Sequence, residues 1–137
     1  MFELNYGILL GMDKQQHFLL FLFCSLLAGG IVSIMSSVEN LKRNVSFIWF
    51  ALIFIGMIEE YRQLFIWHRS AEFFDAIANL LGATTGFILI LLFRFIFSKG
   101  KKDTTVYSSG FLFPLYFFIL IPCFVGLWIL NQVPFYF

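Results

Sequence analysis

Residues 45–67 read VSFIWFALIFIGMIEEYRQLFIW, and the way this stretch is folded decides the architecture. Its apolar part, residues 45–58, is 14 residues long. At about 1.5 Å per residue a helix of that length covers about 21 Å, against about 30 Å of bilayer hydrocarbon. The stretch spans only if the helix runs on through Glu59-Glu60-Tyr61-Arg62-Gln63 to Leu64-Phe65-Ile66-Trp67. Nothing in that tail breaks a helix. The sequence therefore predicts a continuous helix that carries Glu59 and Glu60 inside it, in its outer third.

Working outward, three more stretches have spanning length: residues 17–35, 73–97 and 111–130. The last contains Pro114, near its first turn where proline is tolerated, and Pro122, mid-span where a kink is expected. The connections fall at residues 36–44, 68–72 and 98–110, of which only the third, with Lys99, Lys101 and Lys102, has the composition of a solvated linker. Residues 2–10 are too short to span and lack the basic start of a cleaved signal peptide; they read as an interfacial segment leading into the first helix. The expected fold is all-α: a four-helix transmembrane bundle with a short N-terminal interfacial segment, forming one domain over residues 1–137.

Composition agrees. The chain is 61% hydrophobic and 12% charged, with a mean hydropathy of +0.90. A soluble domain is about a quarter charged, so this chain has too little polar surface to cover a globular fold in water. A net charge of +1 gives no electrostatic case for nucleic acid. Cys24 and Cys123 lie in apolar stretches without metal-ligand spacing and read as plain thiols. Trp49, Trp67 and Trp128 read as interfacial belt residues.

Orientation follows from the basic residues. Lys42, Arg43, Lys99, Lys101 and Lys102, with Arg94 near the end of its span, belong to one side; Lys14, Arg62 and Arg69 belong to the other, a count of six to three. The more basic side is expected to be cytoplasmic. Both termini then lie on the extracytoplasmic face.

On that same face fall three polar runs. Asp13-Lys14-Gln15-Gln16-His17 opens the first span, Glu59-Glu60-Tyr61-Arg62-Gln63 closes the second, and Arg69-Ser70-Ala71-Glu72-Phe73-Phe74-Asp75, followed by Asn79, opens the third. Ionisable groups in lipid cost several kcal/mol unless paired or hydrated, so the runs are expected to gather into one pocket. Asp13 and His17 are four residues apart, as are Asp75 and Asn79, so each pair shares a helix face. Gly82 and Gly86 continue the second face as a GxxxG. We read it as packing within the bundle; the motif also serves dimers, which leaves an oligomer open.

Two chemical uses fit these residue types. Asp13, Glu60 and Asp75, with His17 and Asn79, suit a divalent metal, the imidazole shifting preference toward transition metals or zinc. Without a metal, His17 or a carboxylate moves protons while Lys14 and Arg69 hold an anionic headgroup. The plainer alternative is that Lys14, Arg62 and His68 only meet headgroups and that the remaining pairs are structural. No nucleophile motif, phosphate loop or paired zinc signature occurs.

The ordered set of runs resembles the VanZ-like membrane proteins, named for a factor linked to teicoplanin resistance. The pattern is Asp13-Lys14-x-x-His17, then Glu60-x-x-Gln63, Arg69, and Asp75-x-x-x-Asn79-x-x-Gly82, within about residues 13–86. The chain departs from the pattern at Trp67-His68, where a Pro-Gly turn is common, and in its last span, residues 111–130, which has no counterpart. The resemblance implies a small helical protein of the bacterial cytoplasmic membrane. Its expected role is to bind or act on an anionic lipid or lipid-linked cell-wall intermediate, with a possible part in glycopeptide resistance. Asp13, His17, Glu60 and Asp75 would be acid/base or metal groups, Lys14 and Arg69 would contact the anion, and Gln63 and Asn79 would orient partners. A non-catalytic lipid-binding factor and a small proton or ion conductor are the alternatives.

The charge count makes a topological prediction. A Thr104→Cys variant should resist an impermeant thiol reagent in intact cells and react after permeabilisation. Labelling in intact cells would invert the topology.

Overall fold

The computed structural model describes residues 11–66, 72–97 and 112–132. The expected interfacial segment at residues 2–10, Trp67, His68, Arg69 and the Lys99–Lys102 loop lie outside the described residues. Four helices make up the fold: α1 (Met12–Met35), α2 (Val38–Gln63), α3 (Phe73–Phe97) and α4 (Leu112–Gln132). All four are long and apolar enough to cross a membrane, and no strand occurs among the described residues. The protein is an integral membrane four-helix bundle.

The helix starts differ from the sequence reading. α1 begins at Met12, five residues ahead of the apolar stretch, so the first polar run forms its opening turns with Asp13 favourably placed at the positive end of the helix dipole. α2 begins at Val38, and the expected nine-residue connection over residues 36–44 shrinks to Ser36 and Ser37, both extended. The polar residues of that stretch support the tight turn. The Asn44 amide donates to Ser36 Oγ at 2.8 Å and the Asn40 amide to Ser37 Oγ at 3.1 Å.

α2 does continue through Glu59–Gln63, then stops. Leu64, Phe65 and Ile66 donate their amides to the carbonyls of Tyr61, Arg62 and Gln63, a tightened final turn. The length missing from the apolar run is thus supplied at both ends, by residues 38–44 and by Glu59–Gln63. α3 has the expected bounds, and α4 runs through Pro122 as one helix.

α1 packs most extensively on α3. A methyl group on Gly82 would collide with the Phe18 carbonyl, and one on Gly86 with the Ser25 hydroxyl. The GxxxG face is therefore occupied inside the chain. Ser25 is fully buried at this seam and satisfies its hydroxyl by donating to the Leu22 carbonyl at 2.8 Å. At the far end the Arg94 guanidinium donates to the Ser33 carbonyl and, at 3.2 Å, to the Ser33 hydroxyl, holding the last turn of α1 to α3.

α2 closes the core with Ile53 and Met57, and α4 adds Leu120 and Leu127. Tyr61 ties these two helices together: its hydroxyl donates to the Cys123 carbonyl at 2.7 Å, and Gly126 leaves room for it. Phe50 stacks on Tyr116 with ring centroids 4.6 Å apart. Trp49 corrects its belt assignment, because its indole N–H donates to Thr84 Oγ1 at 3.0 Å across the α2–α3 interface. Polar pairing within the bundle accounts for its position better than a headgroup does.

Backbone contact at Gly82 leaves no side chain that can move aside. Gly82→Leu should destabilise the bundle by about 3 kcal/mol or more, the upper end of overpacking effects. Gly30, with open space around it, should accept alanine with little change. Thermal melting of the two variants in detergent checks the contrast.

Candidate functional site

The opening turns of α1 and α3 and the closing turns of α2 meet at one end of the bundle. His17 stands at their centre. Its Nδ1 lies 3.0 Å from Asn79 Oδ1 and 3.8 Å from Glu60 Oε1, while its Nε2 lies 3.8 Å from Asp75 Oδ2. One imidazole from α1 therefore touches both α2 and α3. With the Asn79 oxygen accepting, the proton sits on Nδ1 and the Nε2 lone pair faces Asp75.

Asp75 divides its two oxygens. Oδ2 faces His17, and Oδ1 lies 3.4 Å from Lys14 Nζ. The same ammonium donates to Glu72 Oε2 at 2.6 Å. Glu72, just ahead of α3, was not singled out from the sequence as a site residue. Its only sequence signal is its place three residues before Asp75, and the clasp with Lys14 is a tertiary contact between residues 58 apart. Asp13 is exposed at the rim, and one ligand atom from each of Asp13, His17 and Asp75 lies within 4.8 Å of the others.

Burial deepens away from this rim. Asp75 and Asn79 are each 2% exposed and Glu60 is 0% exposed. Among the described residues no side chain hydrogen-bonds either Glu60 oxygen, though the Glu72 backbone N–H approaches the carboxylate, and Asn79 Nδ2 has no partner; Asp75 Oδ1 is ion-paired with Lys14 at 3.4 Å. Buried polar groups are normally hydrogen-bonded, so a wholly buried carboxylate without a side-chain partner among the described residues calls for an explanation. The charge balance points the same way. Asp13, Glu60, Glu72 and Asp75 supply four carboxylates, and Lys14 is the permanent cation that pairs with them among the described residues.

The remaining expected members are placed as follows. Gln63 is buried one turn beyond Glu60, but among the described residues its side chain makes no hydrogen bond to the cluster. Arg69 is outside the described residues. Arg62 is not part of the site: it forms a two-pronged pair with Glu59, at 2.6 and 2.8 Å, on the exposed side of α2. The structure also recasts Lys14. Its ammonium is shared by two carboxylates, so little of its charge is left for an anion.

That sharing is testable. Lys14→Met leaves the almost fully buried Asp75 without its cation. Breaking a buried pair costs about 3–5 kcal/mol, and the solvent-open rim reduces this to about 1–3 kcal/mol. Adding Asp75→Asn should restore part of the loss. A double-mutant cycle of melting temperatures in detergent measures the coupling.

No family model matches the chain, and neither a curated protein nor a solved structure matches it.

Proposed function

We propose that this chain is a VanZ-like protein of the bacterial cell envelope. It binds, and acts on, an anionic lipid or lipid-linked cell-wall intermediate at the end of the bundle where α1, α2 and α3 meet. The observation that carries the reading is Glu60: a carboxylate wholly buried inside a membrane helix, with no side-chain hydrogen bond among the described residues, 3.8 Å from a histidine. Such a group is expensive to keep as mere scaffolding, and ionisable residues in this position are a functional-site hypothesis by default.

Several features favour an amphiphilic ligand. The polar rim at Asp13 and Glu72 is solvent-open, and Met12, Phe65 and Phe74 expose apolar surface at the same end of the bundle. A headgroup can meet the rim while its chains lie along the helices. The basic-residue count supports an extracytoplasmic position for this end, where lipid-linked wall intermediates and glycopeptides meet. A role in lowering glycopeptide susceptibility belongs to this reading.

A second reading, a non-catalytic lipid-binding factor, draws on the Lys14–Glu72–Asp75 clasp, which ties α1 to α3 as a structural device would. Conduction draws the least support. Below the cluster, Phe18 is packed on Gly82, and the polar groups deeper in the seam, Ser25 and Thr84, bond to the carbonyls of Leu22 and Leu80 on their own helices.

Glu60 separates the readings. Glu60→Ala should abolish the susceptibility phenotype while leaving membrane-extracted yield close to wild type, because removing a buried charge makes the segment more apolar. Asp75→Glu should also abolish it if the site is catalytic, and retain it if the protein only binds lipid. A Glu60→Ala yield that collapses together with the phenotype would make Glu60 a structural strut and sink the functional-site reading.

A further inference from the structure

We infer that Asp13, His17 and Asp75 form a binding site for one divalent transition-metal ion, of which zinc is the representative. This deepens the headgroup reading above, but the binding itself is measured independently of it.

Three observations carry the inference. The first is ligand geometry. His17 Nε2 and Asp75 Oδ2 lie 3.8 Å apart, and the donor atoms of all three residues fall within 4.8 Å of each other. Two ligands about 2.1 Å from a tetrahedral metal stand about 3.4 Å apart, so the His17–Asp75 pair closes with a slight contraction and the exposed Asp13 carboxylate swings in further. The second is the state of His17. Asn79 Oδ1 engages Nδ1 at 3.0 Å, which places the proton there and leaves Nε2 as the donor facing Asp75. Metal-bound histidines almost always donate their other ring N–H in this way. The third is Glu60. It is wholly buried, no side chain among the described residues hydrogen-bonds its oxygens, and it lies 3.8 Å behind Nδ1. A cation bound on the Nε2 side compensates the charge of the Glu60 carboxylate behind the ring. In this proposal Glu60 stands behind the histidine as a positioning residue rather than as a ligand.

The donor set also selects the ion. One imidazole and two carboxylates favour zinc or manganese over calcium, which takes oxygen ligands alone and more of them. Three protein ligands leave a coordination position free, and the exposed Asp13 rim makes it reachable from water. A phosphate-type headgroup can occupy that position. This supplies the positive charge that Lys14, held between Glu72 and Asp75, does not offer.

The test uses the full chain, purified in detergent, stripped with a chelator and titrated with Zn2+ by calorimetry. Wild type should bind one Zn2+ per chain. Asp13→Asn, His17→Gln and Asp75→Asn should each weaken binding at least tenfold. Asn79→Ala should weaken it about tenfold as a positioning change. A Cys24→Ala/Cys123→Ala double variant should bind like wild type, which excludes the thiols as the source. Asp13 is exposed, so Asp13→Asn decides the matter even if a buried variant fails to fold. The inference is overturned if wild type shows no saturable binding, or if Asp13→Asn and His17→Gln bind with wild-type affinity. Lipid binding measured separately by native mass spectrometry with an anionic phospholipid keeps the two claims apart. Zn2+ without lipid would sink the headgroup reading alone, and lipid without Zn2+ would sink the metal alone.

Discussion

The backbone contact between α1 and α3 sets the rest of the structure. Gly82 lies against the Phe18 carbonyl, and Gly86 against Ser25 and Leu22, closer than any larger residue allows. His17 is the neighbour of Phe18, and Asn79 is one turn before Gly82. The approach fixed by the glycines therefore also fixes the distances at which His17 meets Asn79 and Asp75. In lipid there is no hydrophobic force between helices to draw them together, so small residues and interhelical polar bonds do that work. The same seam supplies both. Its glycine half controls spacing in the apolar depth of the bundle, and its polar half holds the cluster at the end.

α2 depends on that seam. Gly56 sits against Phe21 of α1, and a methyl there would stand 3.2 Å from the Asn79 amide. α2 is thereby packed close enough to bring Glu60 to the inner side of His17. Tyr61, the next residue along, points the other way and anchors α4 through Cys123. Adjacent residues on one helix thus serve two interfaces, and Arg62, following them, spends its charge on Glu59 outside the bundle. The sequence Glu59-Glu60-Tyr61-Arg62 is polar throughout, yet only Glu60 is committed to the cluster. Helical rotation of about 100° per residue makes that selection.

Legibility in the sequence divides along physical lines. The continuation of α2 through Glu59–Gln63 was readable because a 14-residue apolar run cannot cross a bilayer. The meeting of His17, Glu60, Asp75 and Asn79 was readable because topology put their runs on one face and spacing put them on inward sides. The early starts of α1 and α2 were not. Polar residues such as Lys14 or Asn44 look like loop until their partners are known, and those partners are tertiary or lie across a turn. The same applies to Glu72, whose role depends on a lysine 58 residues away. Trp49 was misplaced for a related reason: hydropathy describes its preference for an interface, not the threonine that accepts its hydrogen bond.

The electrostatics of the cluster constrain any account of the protein. Asp75 satisfies a cation on one oxygen and faces an imidazole with the other, and Glu60 faces the same imidazole from behind. Asp75 shares Lys14 with Glu72, and among the described residues Glu60 has no permanent cation in contact; negative charge there, inside a low-dielectric bundle, is costly. A purely structural clasp would be expected to pair its charges internally, as Glu59 and Arg62 do on the surface. The arrangement is instead graded. A satisfied lysine clasp lies at the rim, an exposed aspartate lies beside it, and beneath them lies Glu60, with no side-chain hydrogen bond among the described residues. A site that completes its charge balance by taking up a cation, and through it an anionic headgroup, accounts for that gradient. A clasp alone accounts only for its outer layer.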